Sequence, residues 1–380
     1  MLTQPSDSRL SVSSRLWRVI LLIAILYGFL VAIQLMSGSI KLLGKETSTA
    51  LFDGVVNPFA GLAVGILATV LVQSSSTTTA MIVALVGATD SQLSIEAAVP
   101  MIMGANIGTT VTNTLVSIGS VRRSQEFRRA FSAATVHDFF NLMCVALFLP
   151  LEIATGFLAK SAAFLTDSIG GVSGGSYKSP IKSAVKAGFK WIVGVLEDFG
   201  LSDKTLALSV LVLGIGLTFI CLTQITRIMK QLLAGSLERS INAALEKSGM
   251  IGILIGIVMT AAVQSSSITT SLLVPMCASG VLTLRNAFPI MLGANIGTTI
   301  TGLMASLATE QPAGLTIALV HTMFNTAGIL VFYPAERLRT IPMRLATQLA
   351  EKASGNPLWI ILYVAGIFVA LPLLGWWMFQ

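Results

Sequence analysis

Two short runs of hydroxyl and amide side chains lie inside apolar segments, Gln73-Ser74-Ser75-Ser76-Thr77-Thr78-Thr79 and Gln264-Ser265-Ser266-Ser267-Ile268-Thr269-Thr270. Each is followed by a second shared block, Gly104-Ala105-Asn106-Ile107-Gly108-Thr109-Thr110 and Gly293-Ala294-Asn295-Ile296-Gly297-Thr298-Thr299. A third follows, His137-Asp138-Phe139-Phe140-Asn141 and His321-Thr322-Met323-Phe324-Asn325. Three blocks in one order, offset by 191, 189 and 184 residues, mark an internal duplication and point to one shared binding site. Hydroxyls donate to anions, and helices broken at membrane depth add backbone N–H groups carrying positive partial charge. The same hydroxyls, the amide oxygens of Gln73 and Gln264 and freed carbonyls are hard oxygen ligands suited to sodium.

No lysine or arginine lies between Lys45 and Arg122, and only Arg285 lies between Lys247 and Arg337. An anion held in these segments therefore needs bound cations to balance its charge. Asp138 is the sharpest single residue, because a carboxylate inside an apolar span is expensive and usually lines an ion path. Its repeat counterpart is Thr322. Gly104, Gly108, Gly293 and Gly297 suit an unwound turn lining a cavity. Close helix packing, which small residues also serve, is the competing reading. His137 and His321 read as core histidines. Cys144, Cys221 and Cys277, an odd and widely spaced set, form neither a disulfide framework nor a zinc site.

These residues must be carried by membrane helices. A mean hydropathy of +0.83, with 54% hydrophobic and 11% charged residues, lies outside soluble composition. The fold expected is an all-α polytopic membrane protein of two inverted-topology repeats with re-entrant hairpins and broken helices. The net charge of +7 sits mainly in short loops, where it reports orientation and lends no support to nucleic-acid binding. Residues 1–18 read as a cytoplasmic N-terminus, 19–159 as the first repeat and 160–205 as a central extracellular loop. Residues 206–335 read as the second repeat, 336–356 as a cytoplasmic loop and 357–380 as a terminal helix without a counterpart. Residues 37–57 read as an outside loop. Of the two broken segments in the first repeat, the one holding Gln73 is the preferred hairpin.

The chain resembles the type II sodium-dependent phosphate cotransporters, a family of renal and intestinal phosphate uptake proteins and their bacterial relatives. The resemblance spans residues 15–375. It rests on Val72-Gln73-Ser74-Ser75-Ser76-Thr77, Met103 to Thr109, Phe127-Arg128-Arg129-Ala130-Phe131, Thr135-Val136-His137-Asp138, Leu149-Pro150-Leu151-Glu152 and the second copies. It implies that the paired Gln-Ser-Ser repeats hold phosphate and sodium. Phosphate binding is assigned to Ser74, Ser75, Ser76, Thr77, Asn106, Ser265, Ser266, Ser267 and Asn295. Sodium binding is assigned to Gln73, Thr109, Thr110, Asp138, Asn141, Gln264, Thr298 and Thr299. Aspartate in the His-Asp motif implies the electrogenic type, coupling three sodium ions to one divalent phosphate. A short central segment fits a bacterial member.

The expected activity is sodium-coupled phosphate import across the cell membrane, with sodium as the coupling ion, no cofactor and no enzymatic step. Expected partners are phosphate, sodium and the bilayer, with a homodimer left open. Transport of another oxyanion and a passive anion channel are the alternatives. Hydrolysis through Ser75 or Ser266 is disfavoured, since no base or Gly-x-Ser-x-Gly elbow accompanies either serine.

Overall fold

Small residues spaced four apart let helix backbones touch, and in this chain such positions arrange both halves. The computed structural model describes residues 12–118, 124–172, 180–245 and 249–379, which are helical with no strand among them. Helices α1 (Val12–Leu43) and α2 (Lys45–Phe52) precede a bent pair, α3 (Pro58–Val72) and α4 (Ser75–Val86). Then come α5 (Ile95–Gly108), α6 (Val111–Ile118) and the long α7 (Ser124–Thr155). Helices α8 (Phe157–Val172) and α9 (Pro180–Glu197) join the halves. The second half holds α10 (Asp203–Leu245), a bent pair α11 (Gly249–Val263) and α12 (Ser266–Ala278), α13 (Leu284–Ser306) and α14 (Ala313–Phe332). Helix α15 (Glu336–Gly355) leads to α16 (Leu358–Ala365) and α17 (Leu371–Phe379), joined through a π turn at Gly366–Ala370.

Among the described residues, six helices are long and apolar enough to cross a membrane: Ser13–Leu43, Ser124–Thr155, Asp203–Met229, Leu284–Ser306, Ala313–Phe332 and Leu358–Phe379. Their outer faces expose large apolar side chains such as Leu208, Val212, Ile361 and Trp377, surface that only lipid can cover favourably.

Helices α3 and α5 run parallel at backbone contact. A Cβ on Gly65 would strike the Met101 carbonyl, and one on Gly104 would strike that of Leu62. In the second half, Gly256 meets Ile290 and Gly293 meets Ile253 in the same way between α11 and α13. The equivalent glycines stand 191 and 189 residues apart, as the sequence blocks do. Parallel neighbours joined in sequence need a return segment, and α4 and α12 provide it. Gly87, capping α4, accepts from the Glu310 and Gln311 N–H groups at 3.2 and 3.0 Å, at the end where α3 and α5 begin. At the opposite end, Gly249 at the start of α11 abuts the Tyr333 hydroxyl, and Gly280, just past α12, lies under Arg129. Each bent pair thus folds back to the end from which it starts, and the two ends differ.

The Glu310 end is tied by side chains from several elements. Thr89 donates to Glu310 at 2.5 Å, Lys186 of α9 pairs with it at 3.2 Å, and Lys182 reaches the Thr309 carbonyl at 3.2 Å. The Thr89 hydroxyl, with the Lys186 and Lys41 ammonium groups nearby, holds the Glu310 carboxyl below its usual range against the opposing pull of partial burial. A lowered carboxyl keeps such ties above its unfolded value and loses them only as pH falls through the lowered one. The other end gathers arginines: Arg285 pairs with Glu336 at 3.2 Å, and Arg128 donates to Ser354 at 3.3 Å.

Three segments read as loops are helical. The stretch 160–205 contains most of α8 and all of α9, whose apolar faces bury Leu158, Ala162, Val185 and Val193 behind an outer surface rich in Ser and Lys. The stretch 336–356 contains α15, whose Ala346, Ala350 and Ala353 pack on α7. Within 37–57, α1 continues to Leu43 and α2 follows. Polar composition concealed helical period in all three. Gly104, Gly108, Gly293 and Gly297 serve close packing. Only a turn at Thr109 and Thr110 interrupts the first copy, while α13 runs unbroken through the second.

Gly256→Leu should force α11 from α13 and destabilise the protein by about 1–3 kcal/mol or more. Gly216→Ala, in the interior of α10 and with an added Cβ that meets nothing within 4 Å, should leave stability unchanged or raise it by up to about 1 kcal/mol. Thermal unfolding in detergent compares them, and equal midpoints would remove the backbone approach as a constraint.

Candidate functional site

The site is built from two interrupted helices. Gln73 (φ 56°) and Gln264 (φ 57°) both adopt left-handed backbone, which costs a side-chain-bearing residue about 1–2 kcal/mol. The glutamine amide offsets that strain. Gln73 Nε2 donates to the Val70 carbonyl and Gln264 Nε2 to that of Ala261, each at 2.5 Å, satisfying carbonyls that the ending helix leaves free. Each Oε1 accepts from a threonine of the following segment, Thr112 at 3.0 Å and Thr301 at 2.8 Å. The next residues, Ser74 and Ser265, are extended (φ −155° and −154°) and cap the new helices by accepting from Thr77 N and Ile268 N. The first-turn N–H groups of Ser75, Ser76, Ser266 and Ser267 have no intrahelical carbonyl to bond.

These two tips meet. They line one cavity of about 230 Å³, closed on one side by Phe219, Leu222, Thr223 and Thr226 of α10. Ser76 Oγ donates to the Gln264 carbonyl at 3.4 Å across the junction. The lining carries serine, threonine and glutamine but no lysine or arginine, and two helix N-termini converge on it. Such a cavity offers an anion hydroxyls, N–H groups and positive dipole ends, and offers a cation hydroxyl and amide oxygens.

The second and third blocks form a buried cluster joining the halves. His137 Nε2 lies 2.6 Å from Asn295 Oδ1, and His321 Nε2 lies 3.2 Å from Asn106 Oδ1, so each histidine bonds the other half's asparagine. An amide oxygen only accepts, which puts the ring proton on Nε2 in both. Asn295 donates to Asn141 Oδ1 at 2.8 Å, Asn141 to the Asn106 carbonyl at 2.8 Å, and Asn106 to Asn325 Oδ1 at 3.2 Å.

Asp138 leaves this cluster and faces the terminal helix. It is fully buried, and Tyr363 donates to its Oδ2 at 2.5 Å, while Oδ1 has no partner among the described residues. Phe131 and Phe139 pack around the Tyr363 ring.

Of the residues assigned from sequence, Gln73, Ser74, Ser75, Ser76, Thr77, Gln264, Ser265, Ser266 and Ser267 line the cavity together. Asn106, Asn141 and Asn295 lie in the His/Asn cluster instead. Thr109, Thr110, Thr298 and Thr299 turn their hydroxyls back to carbonyls three or four residues earlier. Asp138 stands apart from the cavity and the cluster, with the Thr110 hydroxyl beside its carboxylate. Sequence reasoning missed the α10 wall and Tyr363. The threonines at 223 and 226, one helical turn apart in an apolar span, were the available signal for the first; a single tyrosine in an apolar terminal run gave none for the second.

The Na+/Pi-cotransporter family model matches residues 29–166 and 217–345. Over 454 residues the chain is 32% identical to sodium-dependent phosphate transport protein 2B of Pongo abelii, covering 96% of this chain and 66% of that protein. Over 446 residues it is 32% identical to sodium-dependent phosphate transport protein 2A of Mus musculus, covering 97% and 69%. The chain therefore spans about two thirds of the length of these relatives. No solved structure matches it. With both broken tips and the whole His/Asn cluster inside the matched residues, the chain belongs to the Na+/Pi-cotransporter family.

Proposed function

We propose that the chain is a secondary active symporter that imports divalent phosphate with sodium, by alternating access to the cavity between the two Gln-Ser-Ser-Ser tips. The observation that carries this reading is the convergence of both tips, from bent pairs rooted at opposite ends, on one cavity without basic side chains. The relatives' names state sodium dependence and phosphate transport. The cavity chemistry fits both solutes, because hydroxyls and first-turn N–H groups suit an oxyanion whose charge sodium ions balance.

Alternating access follows from the rooting of the bent pairs. Displacing α3–α4 would open the cavity toward the Glu310 end, and displacing α11–α12 would open it toward the arginine end. By the positive-inside rule the arginine end is cytoplasmic, which puts the N-terminus inside and the two halves in inverted orientation. Asp138 is assigned a sodium and Tyr363 the positioning of its carboxylate. With three sodium ions per divalent phosphate, each cycle carries one net positive charge inward.

Proteoliposomes test the reading directly. Phosphate uptake should require an inward sodium gradient and saturate, and arsenate, which matches phosphate in charge and shape, should compete better than sulfate. Uptake along the phosphate gradient alone would make the chain a channel. Ser266→Ala removes a hydroxyl bond to a charged ligand, about 1.5–3 kcal/mol, and should raise half-saturating phosphate by about tenfold or more. Ser75→Leu and Ser266→Leu should each abolish uptake while the protein stays folded in detergent; normal transport by both would refute the shared site.

Electrical recording separates the role of Asp138. One charge crossing the full potential is worth about 2.3 kcal/mol per 100 mV, so inside-negative voltage should accelerate uptake. Asp138→Gly should keep sodium dependence and lose most of the phosphate-induced current. Tyr363→Phe removes a charge-assisted bond from the carboxylate and should raise half-saturating sodium by about tenfold, leaving half-saturating phosphate at saturating sodium unchanged. An unchanged current in Asp138→Gly would reduce that residue to a structural role.

A further inference from the structure

A second cavity, of about 400 Å³, lies at the arginine end, away from the Gln-Ser-Ser-Ser tips. It sits where the start of α7, the turn between α12 and α13, and α15 come together, and Arg128 and Arg129 line it side by side. Among the described residues neither arginine has a carboxylate partner. The ion pairs among the described residues engage Glu310 and Glu336, and Glu336 is taken by Arg285 and Arg339. Arg128 uses one N–H on Ser354, at 3.3 Å, which fixes the guanidinium and leaves its other donors free. Arg129 lies over the turn at Gly280, where an added Cβ would stand 2.5 Å from Nη1. Gly280 is left-handed (φ 79°), so the bare turn beneath this guanidinium is one that a side chain would both strain and block.

The rest of the lining is of two kinds. Ser132 and Thr347 bring hydroxyls to the arginines, while Leu282 and Leu284 form an apolar wall. We propose that this cavity binds a phosphate-bearing anion, held by the two guanidinium groups, and that a lipid phosphodiester headgroup is its occupant. The two Nη groups that Arg128 keeps and the Arg129 guanidinium can each match phosphate oxygens bidentately. The apolar wall and a volume larger than that of the tip cavity suit a headgroup with its glycerol better than a bare anion. Position agrees: α7 and α13 both begin here, at the depth where membrane spans end and headgroups lie. An occupant would tie the outer end of the α11–α12 pair to α7 and α15.

Native mass spectrometry of the full chain, with phosphatidylglycerol and phosphatidylcholine added separately, tests this. Phosphatidylglycerol should bind as a discrete adduct and phosphatidylcholine should not. Arg128→Gln with Arg129→Gln should weaken that adduct by about fivefold for each arginine removed. A charge-matched control, Arg227→Gln with Arg337→Gln, both exposed and outside the cavity, should leave it unchanged. Size-exclusion elution checks that both variants remain folded. A third arm adds inorganic phosphate: retention of the lipid adduct supports the headgroup, whereas displacement at millimolar phosphate assigns the arginines to the free anion. Equal binding of both lipids, or a double variant that binds phosphatidylglycerol as well as the control does, would overturn the proposal.

Discussion

A backbone that stops being helical within a membrane-spanning bundle must find new partners for the N–H and carbonyl groups it releases, because lipid supplies none. Everything at the centre of this molecule follows from how that requirement is met at residues 73–74 and 264–265. Glycine would enter the left-handed conformation at lower cost, but it would leave the carbonyls of Val70 and Ala261 unbonded. Glutamine accepts the strain, caps the ending helix with its amide nitrogen, and takes a threonine hydroxyl with its amide oxygen. Serine then caps the next helix. What stays unbonded is the first turn of α4 and of α12, and those groups face a shared cavity. The polar site is thus the remainder left when two breaks are otherwise satisfied.

The breaks hold their place because the surrounding packing is tight. Backbone contact through Gly65, Gly104, Gly256 and Gly293 locks α3 to α5 and α11 to α13, so each tip is carried on a rigid parallel pair. Between these pairs lies the His/Asn cluster, where each histidine bonds an asparagine of the other half. A buried polar cluster of this kind is favourable only when its members meet, which makes it a register for assembling the halves. The cavity and the cluster therefore divide the polar residues: one group turns first-turn donors toward the cavity, and the other uses its donors to join two packed units.

The membrane class and the pairing of the serine runs were legible in the sequence because they depend on hydropathy and on co-linear repetition, and the chain displays both plainly. The cavity-lining residues from Gln73 to Thr77 and from Gln264 to Ser267 were legible for the same reason. The role of the Gly-Ala-Asn-Ile-Gly-Thr-Thr blocks was not, since glycine serves an unwound turn and a close helix contact equally well, and only three-dimensional neighbours distinguish them. Asn106 and Asn295 read as ligands by proximity to the serine runs, yet their side chains turn to His321 and His137. Helices α9 and α15 escaped notice because each buries a narrow face of small or branched residues beneath a charged surface. Their helical period is real, but their composition is that of a loop.

The two copies agree in backbone and differ in a few side chains, and the differences are not scattered. Asn113 of α6 accepts from Thr270 and Ser271, but its counterpart is Gly302, and the equivalent Thr79 hydroxyl has no partner among the described residues. Asp138 has Thr322 as its counterpart, and Thr322 simply bonds back to the Ala318 carbonyl. Asp138 in turn depends on Tyr363, from a terminal helix that the duplication does not include. A perfectly duplicated bundle could offer only equivalent pairs of sites. The buried carboxylate, bonded to Tyr363 on one oxygen and without a hydrogen-bond partner among the described residues on the other, adds a group that no symmetry operation generates. Because Tyr363 of α16 packs on α7 beside Phe131 and Phe139, the environment of that carboxylate is set in part by an element outside the repeat, and the asymmetry of charge in the bundle follows the asymmetry of its packing.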